Sequence, residues 1–235
     1  MTKTTNRKKN TLMRICIGII LVSAALLTCA YFQAHLFLTD RYSWYTHMSL
    51  LYQKNDLSWK SLDYASKAIS LDSARPEAYI LRGQAYYSQG SLDIAKKSYE
   101  TARKKQPEIL VFYQMGMLLL QQGKTAESIT EFAHGTLAEE QPVRDYAGLA
   151  LAYLCKAENE IALGFALNAS NLLPEVPERR LAAFVYATLG ICYENAGNGT
   201  QANHFYRLSE INYQNVISGI RSKLADCAVN SIQRI

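Results

Sequence analysis

The chain has 235 residues, 49% of them hydrophobic and only 5 of them proline, a composition that builds a folded body rather than a disordered one. Its formal net charge of +5 sits in the leader: Lys3, Arg7, Lys8, Lys9 and Arg14 are five of the 25 Lys and Arg, which leaves 20 basic against 20 acidic residues from Ile15 onward. A neutral body argues against nucleic acid as the main partner, because phosphate recognition needs clustered positive charge.

Residues 1–14 form a basic leader with no acidic residue, and residues 15–38 form an apolar segment behind it. Ile15 to Phe32 gives 18 uncharged residues, about 27 Å as a helix, close to a hydrocarbon core of roughly 30 Å. Continuation to Leu38 adds length for tilt, and Tyr31 and Phe32 fall where interfacial aromatics sit. The pattern predicts a transmembrane signal anchor. The basic residues before it place the N-terminus in the cytoplasm and the body on the outer, periplasmic side. Two alternatives stay open: cleavage near Thr28-Cys29-Ala30, and lipid attachment at Cys29. The Tyr, Phe, His and Leu that follow Ala30 favour an uncleaved helix, and Thr28 is bulky for a lipid-attachment box.

From Ser43 to Ile217 the periodicity is helical and short Gly, Asn or Asp turns interrupt it at similar intervals. Residues 42–75 carry Tyr45, Tyr52, Asp56 and Ala68, with Ser49 where later units have a small apolar residue. Residues 76–108 are the clearest unit, with Tyr79, Gly83, Tyr86, Ala95, Tyr99, Ala102 and Pro107. Residues 109–142 repeat it 33 positions on with Phe112, Met115, Gly116, Leu119, Gly123, Ser128, Phe132 and Gly135. Residues 143–176 offer Tyr146, Leu149, Ala150, Tyr153, Ala162, Ala169 and Pro174, and residues 183–213 offer Tyr186, Leu189, Gly190, Tyr193, Gly197, Ala202 and Tyr206. The last offset is 40 rather than 34, so six extra residues lie near Leu172 to Arg180, where Pro174 and Pro177 forbid a continuous helix. Residues 214–235 read as an amphipathic closing helix with Val216, Ile220, Leu224 and Cys227 on one stripe and Arg221, Lys223 and Asp226 mostly off it.

Tyr79, Gly83, Tyr86, Ala95, Tyr99, Ala102 and Pro107 match W/Y-x3-G-x2-Y, then A-x3-F/Y-x2-A, then P. This resembles the tetratricopeptide repeat, although Arg82 replaces the usual Leu before the glycine. The resemblance implies an all-α solenoid of about five helix-turn-helix repeats plus a capping helix, behind one transmembrane helix. Gly83 and Ala95 are expected where the two helices of a repeat come closest, with Tyr79, Tyr86 and Tyr99 filling the gaps between repeats; Gly116, Gly190 and Tyr193 are the corresponding positions further on.

The resemblance also implies that the first helix of each repeat lines a concave surface. Carried over position by position, that surface comprises Thr46, Leu50 and Gln53; Ile80, Gln84 and Tyr87; Tyr113, Met117, Leu120 and Gln121; Arg144, Ala147, Leu151 and Leu154; and Phe184, Ala187, Ile191 and Glu194. Its apolar middle suits an amphipathic helix or extended apolar segment of a protein partner. The competing expectation is that the closing helix or the superhelical turn covers it. Asp at Leu120 and Leu151 is expected to abolish partner capture while helical content stays. Chaperone-type capture of a C-terminal carboxylate is not expected, because Thr46, Leu50, Ile80 and Gln84 stand where Lys and Asn would be needed.

No reactive constellation appears. His35, His47, His134 and His204 are isolated, no HExxH occurs, and Glu139-Glu140 and Glu158 with Glu160 lie beside turns. No enzyme activity, cofactor or metal site is expected. Cys16, Cys29, Cys155, Cys192 and Cys227 show no CxxC spacing, and all five are expected as small buried residues rather than disulfide partners. The layout resembles bacterial anchored repeat proteins that serve secretion, pilus biogenesis or cytochrome c maturation. The expected function is therefore a membrane-anchored interaction scaffold, with self-association as the alternative.

Overall fold

The computed structural model describes residues 17, 19, 21–28, 30, 31, 40–107, 111–139, 142–175 and 177–232. Five antiparallel helix pairs follow one another: α1 (Arg41–Lys54) with α2 (Ser58–Leu71), α3 (Glu77–Ser88) with α4 (Leu92–Lys105), α5 (Phe112–Gln121) with α6 (Thr125–Ala138), α7 (Val143–Cys155) with α8 (Asn159–Asn171), and α9 (Arg179–Asn195) with α10 (Gly199–Asn212). A last helix, α11 (Val216–Ile232), closes the array. Each pair packs on the next, which makes a solenoid.

The pairs are punctuated identically. One left-handed residue ends the first helix of each: Asp56, Gly90, Gly123, Ala157 and Gly197, with φ of 59°, 75°, 73°, 58° and 74°. The next residue's amide reaches back five positions in every case, Leu57 to Tyr52, Ser91 to Tyr86, Lys124 to Leu119, Glu158 to Tyr153 and Asn198 to Tyr193, at 2.8–3.0 Å. Such a bond caps carbonyls that the helix end leaves unpaired.

Gly83 lies against the Tyr99 ring and Gly116 against the Phe132 ring, so closely that a methyl group at either would overlap the aromatic carbons. Ala95, Tyr99 and Ala102 are buried beside them. The two departures from the repeat pattern are satisfied locally. Ser49 bonds the Ser61 carbonyl at 2.8 Å across α1 and α2. Arg82 donates to Ser98 at 3.1 Å and lies over the Tyr79 ring. Tyr86 and Tyr193 are half-buried, Tyr193 stacked on Phe205, while Pro107 is exposed past the end of α4.

The insertion near Pro174 and Pro177 emerges mainly as helix: α9 has 17 residues against 13 in α7. Its added N-terminal turn carries Arg180, which donates to Asp56 at 2.9 Å and to Tyr213 at 2.7 Å. The first and last repeats thereby meet, and the array closes on itself.

The predicted span, residues 15–38, is described only in part. At 17, 19, 21–28, 30 and 31 it is helical, with Ile17, Ile19, Leu21, Val22, Leu26, Leu27 and Tyr31 exposed; the rest, with the leader, His35, Cys16 and Cys29, lies outside the described residues. Among the described residues no helix is long and apolar enough to cross a membrane.

Candidate concave groove

The inner face of the array is built from the first helices, and α11 lies in it. α11 packs on α7, α9 and α10. Its Lys223 reaches the Tyr87 hydroxyl of α3 at 3.2 Å. Leu120 and Gln121 of α5 share with Lys223, Asp226 and Cys227 a residual cavity of about 50 Å³. The groove residues are therefore divided by depth. Leu120, Ala147, Leu151, Leu154, Ala187 and Ile191 are buried, and they share one apolar cluster with Ile220 and Cys227 of α11. Tyr113, Met117 and Phe184 are half-buried against that cluster, together with Val216, Ile217 and Leu224. Ile80, Gln84 and Tyr87 are half-buried at the far end. Gln121, Arg144 and Glu194 are exposed along the rim, as is Leu50, while Thr46 and Gln53 are half-buried in α1.

Of the two occupants weighed for this groove, the closing helix is therefore the one seated here. The expectation that Asp at Leu120 and Leu151 would leave the fold intact is corrected by their burial: both side chains belong to the core cluster. Lys223, predicted off the apolar stripe, instead turns inward. Burial lowers its tendency to hold a proton, and the Tyr87 hydroxyl, pushed up to about 12 by its own burial, is the acceptor found for its ammonium among the described residues.

Polar contacts fix the rim. The Glu194 carboxylate accepts from the Tyr206 hydroxyl at 2.6 Å and from Arg221 of α11 at 2.7 Å. These two donors, Tyr206 foremost, hold its carboxyl below the ordinary range. Arg144 pairs with Glu178 at 2.9 Å.

One covalent bond adds to this. Cys155, at the end of α7, and Cys227, on α11, are joined as a disulfide with Cα atoms 5.4 Å apart, and Cys192 stays buried and free. Burial alone, expected for all five cysteines, fails for this pair. A separation of 72 positions hides the pairing from any spacing rule, because only the return of α11 into the groove brings the two together.

Asp145 is a buried carboxyl that sequence reasoning missed. Its side chain is fully buried against Gly135 of α6, and neither oxygen has a hydrogen-bond partner among the described residues. Burial, aided by the nearby Glu139 charge, pushes it up to about 7. The repeat register held the signal: counted from the left-handed turn residue, Asp145 stands where the neighbouring repeats have Ala78, Val111 and Val185, all fully buried. Elsewhere, His134 and His204 sit edge-on against Phe112 and Phe205. Among the described residues no group of three or more His, Cys, Asp or Glu could hold a metal ion.

No known family profile matches the chain, and no curated protein sequence is significantly similar to it. Solved structures do resemble it. A chain of the APC/C Cut9–Hcn1 hetero-tetramer superimposes with a TM-score of 0.72 at 16% identity, covering 85% of this chain and 39% of that one. This chain thus spans about two fifths of that neighbour's length. A thermophilic TPR protein of Thermus thermophilus gives 0.63 at 14% identity, covering 80% of this chain and 99% of that one. The fold is a tetratricopeptide-repeat solenoid. PilW, a type IV pilus biogenesis factor, gives 0.61 at 15% identity, covering 82% of this chain and 88% of that one.

Proposed function

We propose that the protein is a membrane-tethered scaffold whose tetratricopeptide array holds a partner helix or peptide on its inner face, outside the cytoplasm. The observation that carries the reading is the occupied groove. A continuous apolar floor from Tyr113 to Ile191 accepts an amphipathic helix, α11, and its rim offers Glu194 to a basic side chain of that helix. The tether rests on residues 15–38 and the five basic residues before them, and the exposed side chains of Ile17, Ile19, Leu21, Val22, Leu26, Leu27 and Tyr31 agree with it. The outer compartment is supported by the Cys155–Cys227 disulfide, since such bonds persist where the surroundings are oxidising. The likeness to PilW supports fold only; service to an envelope assembly such as pilus biogenesis, secretion or cytochrome c maturation is part of the proposal.

The full chain, solubilised from its own membranes in mild detergent, is expected to bring a protein with it in fixed ratio. A reporter active only outside the cytoplasm, fused after Ile235, is expected to work. Purification as a lone polypeptide removes the scaffold reading, and a silent reporter reverses the topology.

A further inference from the structure

We infer that the Cys155–Cys227 disulfide is a latch that keeps α11 in the groove, and that its reduction by a dithiol opens the groove to a basic amphipathic helix of the same chemistry as α11. The inference rests on the groove reading above and adds the partner's character and its control.

Three observations carry it. The first is how lightly α11 is seated by packing. From Val216 to Cys227 only Ile220 and Cys227 are buried, while Val216, Ile217, Lys223 and Leu224 are half-buried and six others are exposed. The helices beneath it are held far more firmly; α9 alone buries nine residues. Over this stretch so little apolar area is removed from water that its packing is marginal by itself, and the covalent bond at its end decides whether it stays.

The second is imperfect fit. A cavity of about 50 Å³ remains between Leu120 and Cys227, and the Lys223 ammonium is carried inward to meet a phenol rather than a carboxylate. Both faults lower the affinity of the seat for this occupant. The third is access. Cys155 is half-buried rather than enclosed, which makes it the more open of the two bonded cysteines and the one for a small dithiol to approach.

The exchange balances. A thiolate of the dithiol attacks Cys155 Sγ, the Cys155–Cys227 bond breaks, and Cys227 leaves as a thiolate that takes a proton. The dithiol's second sulfur then displaces Cys155 and closes its own disulfide. The protein gains two electrons and two protons, and the dithiol loses them.

The partner's character follows from what the groove now holds. Apolar side chains three or four positions apart replace Val216, Ile220 and Leu224 over the floor, and a basic residue answers Glu194. Release does not remove α11, which stays joined through Tyr213 to Asn215. An incoming helix competes with a tethered one at an effective concentration on the order of millimolar. The latch thus converts an excluded partner into a competing one.

The test uses the full chain and a synthetic peptide of residues 213–232 carrying Cys227→Ser, immobilised on beads. Hydrogen exchange across 216–232 is measured with and without dithiothreitol, and retention is measured for oxidised wild type, reduced wild type and the double variant Cys155→Ser with Ile220→Asp, whose own α11 reseats poorly. Reduction is expected to speed exchange in α11 roughly tenfold or more while α7 and α9 stay protected. The peptide is expected to retain the reduced protein and the double variant, and not the oxidised protein. Equal exchange in α11 with and without dithiothreitol overturns the latch, whatever the peptide does. Faster exchange with no retention of either reduced protein or double variant overturns the groove as a helix-docking surface and leaves the disulfide a plain staple. If the double variant fails to fold, wild type with and without dithiothreitol decides both points.

Discussion

Asp145 places a carboxylate at a register position where the other repeats bury Ala78, Val111 and Val185, and the consequence is a pH dependence. Its ordinary value of 3.8 rises to about 7 in the fold because burial disfavours the charged form. Below pH 3.8 the carboxyl is protonated both folded and unfolded, and its stability contribution is fully present. Between 3.8 and about 7 the folded protein holds a proton that the unfolded chain has lost, so stability falls as pH rises, and above 7 the loss is complete. A rise of that size corresponds to roughly 4 kcal/mol at most. Asp145→Asn is therefore expected to unfold at higher urea than wild type at pH 8 by the equivalent of about 2 kcal/mol, with the advantage gone at pH 4; parallel urea curves at the two pH values check this. Ala157 makes a second residue-scale case. It adopts φ of 58° where Gly90, Gly123 and Gly197 serve elsewhere, a conformation costly for a residue with a Cβ. Ala157→Gly is expected to stabilise by up to ~1 kcal/mol, and Gly90→Ala to destabilise by a similar amount, both read from chemical denaturation.

At the scale of the helix, burial sets the outcome of groove substitutions. Leu151 is fully buried at the junction of α7 with the central cluster, so Leu151→Ala is expected to cost about 2–5 kcal/mol, and Asp at both Leu120 and Leu151 to unfold the array rather than merely silence binding. Loss of the cooperative melt by circular dichroism in the double Asp variant checks this, and retention of a sharp melt contradicts it. The helix pairs were legible because the same small residues recur near 34-residue offsets: Gly83, Gly116 and Gly190 each face an aromatic ring of their own repeat, and that local pairing imprints itself on the sequence. The departures were legible only as departures. Nothing in the sequence announces that Ser49 would bond Ser61, or that Arg82 would find Ser98, since these partners lie on a neighbouring helix. The seat of α11 was harder still. Its apolar stripe fits the end of the solenoid and the groove equally well, and contacts such as Lys223 to Tyr87, 136 residues apart, leave no periodic trace.

Across the whole molecule, the closure between first and last repeats depends on few groups. Arg180 reaches Asp56 from the added turn of α9, with Tyr213 sharing both partners. The pair is open to water, the Asp56 side chain being 72% exposed. An exposed ion pair contributes at most ~1 kcal/mol. For a chain of this size such a loss moves the melting temperature by only about 2–4 °C. The shape is another matter, because a solenoid is a stack of nearest-neighbour contacts and small rotations at each interface add up along it. Arg180→Glu puts a carboxylate against Asp56 and is expected to spread the ends of the array while the repeats themselves stay folded. Spin labels placed at Asn55 and Asn212, both outside the core, measure the separation directly. The distance is expected to lengthen and broaden in Arg180→Glu, with melting changed by no more than those few degrees. Wild type in 1 M salt, where screening acts within about 3 Å, is expected to move the same way. An unchanged distance in the variant shows that helix packing, not the ion pair, sets the curvature.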